Sequence, residues 1–492
     1  MRTLKSRANK GRGELFGSKF ADTDTQLKYL FTLVSLVFFF GCSNPDESLD
    51  GARANAGSNA RDILLILVDT LRADRLGCYG NDRPVSPNID ALAKRGVRFE
   101  ETMAPAPWTL PSTASLFTGL TPGAHGAGTR IGDDDGREKK VLGLSPEIPT
   151  LAKRLSNAGY ETAAFVTNPF LTCGLEQGFD TFEHRDTEGA DVSYFAEQTL
   201  RKADRARPLF MLLHFMDCHD PLLYPDEDAK LLTESGKLPP DWSRTFGTLI
   251  RPSISRPERL LAYDAAIHYV DRQVGRIIAS VEESDRGRET LFVLTSDHGE
   301  EVFEHIVQER EPSFGIPENH PPGLGHGQSL FKEVIHVPLI FSGSGIAPNG
   351  VITSTNSLLD VTPTVLEMVG VPFASDSFDG GSLLGVIAGE AAAPSNLLIT
   401  SIRQGRDQRA LITDRWKLIV NGHGDAAPIY LFDRTAAEID RHDLSAEYPE
   451  VVVELRQELL EREANVQGVS GVEIETDSAM DARLNALGYT ED

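Results

Sequence analysis

Ile63-Leu64-Leu65-Ile66-Leu67-Val68 is an unbroken apolar run of six residues closed by Asp62 and Asp69. A strand with one wet face alternates apolar and polar side chains. A short run without alternation, bounded by charge, is a strand covered on both faces, the environment of a parallel sheet between helical layers. Comparable runs stand at 209–215, 291–295 and 337–341. Helical spacing lies between them: Leu151, Leu155 and Ala158 are closed by Gly159, and Ile267, Val270, Val274, Ile277, Ile278 and Val281 share one face. Strands alternating with helices predict an α/β fold, here over residues 61–390. Beyond it come short segments, Ala410–Thr413, Lys417–Val420 and Ile429–Phe432, then one helical stretch at Pro449–Arg462. They predict a small α+β subdomain over 391–465, and residues 466–492 read as an acidic tail.

Ahead of the fold, Leu30–Phe40 forms an apolar run of eleven residues that follows a basic leader and ends in Gly41-Cys42. A bilayer needs roughly 20 residues to span about 30 Å of hydrocarbon, so the run fits the core of a secretory signal. Residues 1–41 are expected to be a signal peptide of lipoprotein type that leaves an acylated Cys42, or alternatively an uncleaved signal anchor. Either exports the chain to the periplasm or cell envelope and makes the N-terminus its one membrane contact. Residues 42–60 read as a solvated tether. The formal net charge of −25 repels phosphate backbones and excludes nucleic acid as a partner. Four cysteines in 492 residues make no disulfide framework.

Polar residues gather just past the carboxyl ends of the apolar runs, where open α/β sheets place their sites. Asp69 follows the first, Asp217-Cys218-His219 the second and Ser296-Asp297-His298-Gly299 the third. Adjacent Asp and His supply a hard oxygen and an imidazole to one divalent cation, and Asp69 completes the set. The donor types admit Ca²⁺, Mn²⁺, Mg²⁺ or Zn²⁺. Trp108-Thr109-Leu110-Pro111 has a hydroxyl at a helix start and a proline in the first turn, and the helix stops at Gly119. A helix N-terminus favours anions, so a tetrahedral ester held there meets Thr109 Oγ1, whose pKa a bound cation would lower.

The chain resembles the sulfatases of the alkaline-phosphatase superfamily through Leu65–Asp69 with Gly77-Cys78-Tyr79-Gly80, Ser86-Pro87-Asn88-Ile89-Asp90, Pro111-Ser112 with Leu116–Leu120, Ser296–Glu300, and Asp360–Thr364. Trp416-Lys417-Leu418 and Tyr430–Asp433 look like the family's C-terminal subdomain. The resemblance implies a mixed sheet flanked by helices and a metal-dependent hydrolase of sulfuric or phosphoric-type esters of a small molecule or glycan. It implies one divalent cation held by Asp69, Asp297, His298 and Thr109, with Thr109 as nucleophile. His219 falls where relatives place a histidine that contacts the ester or protonates the leaving group, and His326 near a lysine or histidine with a similar task. A second metal on Asp217, His219 and His326 is the alternative reading of those residues. His305 and His320 read as substrate-loop or surface residues, and Cys218 as a packing residue.

The departures bear on substrate. The family has a cysteine or serine that becomes formylglycine at the place of Thr109, an arginine at the place of Thr113 and a second aspartate at the place of Thr70. Its sulfate-holding lysine and histidine fall near Val166 and Asn168. Asn168 and Thr113 are therefore the expected substrate-binding residues, in a site with few cations. A threonine nucleophile is similar to the phosphodiesterase and phosphoethanolamine-transferase branches. A non-catalytic surface lipoprotein that binds sulfated glycans is the alternative of another kind.

Overall fold

The computed structural model describes residues 61–131, 139–233, 255–284, 290–310, 323–343, 345–374, 376–391, 397–403 and 406–474. All lie within one compact unit, Pro45–Asp492. Cys42, the signal and tether expectations, and His320 fall outside the described residues.

Eight strands build the main sheet: β1 (Asp62–Val68), β2 (Gly96–Met103), β3 (Glu161–Val166), β4 (Thr181–His184), β5 (Leu209–Phe215), β6 (Thr290–Thr295), β7 (His336–Ser342) and β8 (Gly350–Ser357). Their order is β8-β2-β7-β6-β1-β5-β3-β4. Every neighbouring pair is parallel except the two made by β7. The sheet is mixed, with β1 paired on both sides near its centre.

The six-residue run of β1 is now explained. Ile63, Leu65 and Leu67 face one core and Leu64, Ile66 and Val68 the other. The first core lies under α2 (Thr109–Thr118), α3 (Leu151–Asn157) and α6 (Val361–Met368). The second lies under α1 (Pro87–Lys94), α4 (Gly189–Lys202) and α5 (Arg256–Glu282). Both faces are dry, so period-2 alternation has no cause to appear. The apolar runs also show why β2 and β8 escape such a reading. β8 alternates exposed and half-buried residues over Gly350–Ser354, and β2 carries Arg98, Glu100 and Glu101.

Four antiparallel strands follow, Leu397–Arg403, Arg406–Ile412, Trp416–Asn421 and Ile429–Asp433, then the helix Pro449–Asn465. One face of this small sheet, with Ala410, Ile412, Ile419 and Phe432, packs on Met103, Leu330, Phe331, Val334 and Ile335. The other, with Leu411, Leu418, Val420 and Leu431, lies under Leu455 and Leu459 of the helix. This is the small C-terminal α+β subdomain. The next residues depart from the solvated tail that their charge suggests. Val469 N donates to Ala124 O at 2.9 Å, and Val472–Glu473 adds a strand to Lys139–Gly143.

Candidate active site

Asp69 directly follows β1, Asn168 lies just past β3, His214 is one residue from the end of β5, and Asp297 and His298 follow β6. These strands are parallel, so their carboxyl ends share one edge of the sheet. α2 brings Thr109 to the same place. Its Oγ1 lies 3.3 Å from His298 Nε2 and accepts a 3.4 Å hydrogen bond from Asn168 Nδ2. The hydroxyl at this helix start is not its N-cap. Trp108 occupies the N-cap and gives no side-chain cap, and Thr109 is the first helical residue. Its hydroxyl is therefore directed by the helix start without serving as the cap.

Asp69, Asp297 and His298, three of the four expected ligands, are each anchored through one atom, which turns another toward a common point. Asp69 Oδ2 accepts from Asn168 Nδ2 at 2.8 Å and lies 3.5 Å from His214 Nε2, leaving Oδ1 to face inward. Asp297 Oδ1 accepts from the backbone N–H groups of His298 at 2.9 Å and Thr70 at 3.3 Å, which turns Oδ2 inward. His298 Nδ1 lies 2.9 Å from Gly299 O. A carbonyl only accepts, so Nδ1 carries the proton and the lone pair is on Nε2. That nitrogen is 3.6 Å from Asp69 Oδ1 and 3.4 Å from Asp297 Oδ2.

Three acceptor atoms thus lie within 4.8 Å of one another. Asp69 Oδ1 and Asp297 Oδ2 are buried without a hydrogen-bond partner, an arrangement that costs several kcal/mol when nothing compensates the charge. A divalent cation fits this set. It is the one such grouping of three or more acidic, histidine or cysteine ligands among the described residues. Burial and the neighbouring charge of Asp69 push Asp297 well above the carboxylate range. Burial works against ionisation of Asp69 too, but the nearby His214 and the fields of His219 and His298 outweigh it and hold that carboxyl below its usual range.

Thr70, at the place of the family's second aspartate, is a backbone part of this loop. Its hydroxyl donates to Asp69 O at 2.7 Å, and its φ of 60° is unusual for a β-branched residue. Thr113 lies one turn below Thr109 on the same helix face. It is fully buried, and its Oγ1 has no hydrogen-bond partner. The amide of Asn168, an expected substrate-binding residue, bridges Asp69 and Thr109 while Oδ1 accepts from Phe170 N at 3.0 Å.

His219 and His326 come together with His298: ring centroids are 5.0 Å apart for His219 and His326 and 4.4 Å for His298 and His326. His326 Nδ1 lies 2.8 Å from Glu300 Oε2, and His219 Nδ1 2.6 Å from Asp220 O. The second-metal alternative is not assembled. Asp217 Oδ1 accepts from Gly189 N at 2.9 Å at the start of α4, so this carboxylate serves a helix end. His305 also departs from expectation. It is fully buried, stacks on Phe331 at 3.8 Å and meets Glu333 at 2.9 Å, so it belongs to the packing against the C-terminal subdomain. Cys218 is buried in the core and its thiol is pushed well up by burial, which leaves it inert.

Sequence reasoning missed His214 and Glu300. His214 is the one ionisable side chain in an otherwise apolar strand, adjacent to the site end, and that isolation was its signal. The signal for Glu300 was its place two residues after His298.

Asp217 yields a prediction about stability. Burial raises its carboxyl to about 7 from 3.8, so the folded chain binds a proton there that the unfolded chain releases between those values. Stability from this group is present at low pH and lost as pH rises through about 4 to 7. Asp217→Asn should therefore raise Tm over wild type at pH 8 and give a clearly smaller gain at pH 5, measured by calorimetry. An equal shift at both pH values would show that the carboxyl ionises normally.

A sheet edge that gathers carboxylates, histidines and a helix-borne hydroxyl around one cation-shaped point defines an α/β ester hydrolase. The sulfatase family model matches residues 61–371, and the chain belongs to that family. It is 26% identical over 463 residues to a choline-sulfatase of Rhizobium meliloti, covering 78% of this chain and 82% of that one. To a delta 4,5-hexuronate-2-O-sulfatase of Bacteroides thetaiotaomicron it is 25% identical over 399 residues, covering 72% and 77%. Among solved structures, one in complex with its substrate D-glucosamine-2-N,6-O-disulfate superposes with TM-score 0.65 at 18% identity, over 82% of this chain and 98% of the other. The phosphonate monoester hydrolase of Silicibacter pomeroyi superposes with TM-score 0.61 at 19% identity, over 83% and 96%. These two establish likeness of fold.

Proposed function

We propose that the chain hydrolyses singly charged tetrahedral esters, phosphodiesters or phosphonate monoesters ahead of sulfate esters, by in-line attack of Thr109. The observation that carries this is the site's charge inventory. The candidate cation set is intact while Thr113 and Asn168 stand where the resemblance implies an arginine and a histidine. A doubly charged phosphate monoester needs more cationic compensation than this site offers, whereas a monoanion does not.

Asp69, Asp297 and His298 would hold the divalent cation, which would neutralise ester oxygens and lower the pKa of the Thr109 hydroxyl. Asn168 orients both Asp69 and Thr109, and His214 supports the outer oxygen of Asp69. Thr109 Oγ1 gives up its proton to solvent and forms the new bond to phosphorus or sulfur as the bond to the departing oxygen breaks. That oxygen takes a proton from His219 or His326. Nδ1 keeps its proton beside Asp220 O or Glu300, so the donating ring enters as an imidazolium, gives up its Nε2 proton and becomes neutral. Water then attacks the esterified Thr109 at phosphorus and restores the hydroxyl. A formylglycine hydrate expels sulfate by breaking its own C–O bond. Threonine has no such exit, which disfavours sulfate turnover. The likeness to a phosphonate monoester hydrolase fold supports the same reading.

A binding-only role is opposed by the anchored, partnerless carboxylate oxygens. The test compares kcat/KM for a bis-aryl phosphodiester, p-nitrophenyl sulfate and p-nitrophenyl phosphate on one metal-loaded preparation. The diester should lead and the monoester should be slow or inert. Aryl sulfate ahead by more than about tenfold, roughly 1.4 kcal/mol of discrimination, would reject the ranking.

A further inference from the structure

The start of α2 has no side-chain cap, which suits a helix end that must face an anion, yet it removes the usual fixture of a first turn. The turn is held from its flank. Ser112 Oγ donates to Asp297 O at 2.6 Å, tying it to the candidate cation loop. On another side stands His125, fully buried at the end of the short helix Pro122–His125. Ala127 N donates to His125 Nδ1 at 3.0 Å. An amide only donates, so the ring proton is on Nε2. Nε2 lies 3.2 Å from Pro111 O and 3.0 Å from Ser115 Oγ. The ring thus joins two successive turns of the helix that begins at Thr109. Burial pushes its pKa down to about 4, so at neutral pH it is uncharged and in one tautomer.

His125 is in turn mounted on the segment after the C-terminal helix. Val469 N donates to Ala124 O, and the two backbones meet glycine against glycine. A Cβ on Gly468 would stand 2.3 Å from Gly123 O, one on Gly471 2.3 Å from Gly126 O, and one on Gly126 2.3 Å from Val469 O. No side chain fits in that seam. The segment therefore lies as close to the 123–126 turn as two chains can.

We infer that His125 is a positioning residue for Thr109, and that residues 466–471 are the outer wall that fixes its height. The inference rests on Thr109 as nucleophile. A shift of about 1 Å in a reacting group costs on the order of a hundredfold in rate. His125→Phe fills the space without hydrogen bonds and should lower kcat by about ten- to a hundredfold, with KM within about twofold and metal content unchanged. His125→Gln, whose amide both donates and accepts, should recover most of the loss. Wild-type kcat in folded His125→Phe, or equal losses in the Phe and Gln variants, would overturn the assignment.

Should His125→Phe fail to fold, Gly468→Ala decides, since its added methyl meets only Gly123 and Ala124 across the seam. It should lower kcat at unchanged KM, and wild-type kcat there would overturn the inference. Thr109→Ala measured alongside separates the two readings. If that variant is inactive while the His125 and Gly468 variants run at full rate, only the positioning inference fails. If it is active, the nucleophile assignment fails and takes the inference with it.

Discussion

Thr109→Ala is expected to lose at least a hundredfold in kcat, about 2.7 kcal/mol of transition-state stabilisation, while keeping its fold and its metal. The reasons are local. Thr109 is the first residue of α2 and is not its cap, so alanine removes no capping bond and is itself a better helix former. The hydroxyl accepts a long bond from Asn168 at 3.4 Å and lies 3.3 Å from His298 Nε2, and Asn168 keeps its 2.8 Å bond to Asp69. Loss of rate would then report chemistry and not collapse. Thr109→Ser keeps the oxygen and should retain measurable turnover. The measurement is kcat on the best substrate together with metal content and thermal unfolding. Activity in the alanine variant above about a hundredth of wild type exceeds what remains after losing a nucleophile, and would remove Thr109 from that role.

The parts of this site that the sequence exposes are those that act through chain position. Asp69, Asp297 and His298 follow strands whose apolar runs are conspicuous because both faces are buried, so ligand and strand end are read together. Thr109 is legible for a similar reason, since Pro111 and Gly119 bracket its helix. His214 is different. Its importance comes from the parallel register that sets it opposite Leu67, two residues before Asp69, and register is a tertiary property. Asn168 is legible only as a polar residue past a strand end, because its hydrogen bonds to Asp69 and Thr109 require β1, β3 and α2 to be assembled. Asp217, a ligand only in the second-metal alternative, shows the converse. It follows a strand as Asp69 does, but its carboxylate accepts from the start of α4. Local pattern locates such residues at the edge; only packing decides which way each one faces.

The same anchoring logic predicts a large effect at Asp297. In Asp297→Asn the side-chain oxygen keeps accepting from the backbone N–H groups of Thr70 and His298, because turning the amide over would set N–H against N–H twice. The NH₂ group must then occupy the inward position of Oδ2, offering donors where a cation needs a lone pair and removing one negative charge. Divalent metal affinity should fall by more than about a hundredfold, on the scale of losing a ligand outright, given that even supporting contacts cost 10–100-fold. Turnover should fall with it at limiting metal. The apoprotein should behave in the opposite sense. Two buried carboxylates facing each other without a cation repel, so with chelator present the asparagine variant should unfold at a temperature equal to or above that of wild type, whereas with saturating metal wild type should be the more stable. This crossing of Tm values with and without metal cannot arise from a merely misfolded variant. Equal metal stoichiometry and affinity in wild type and Asp297→Asn, by titration calorimetry or elemental analysis, would take Asp297 out of the cation site and leave its partnerless oxygen unexplained.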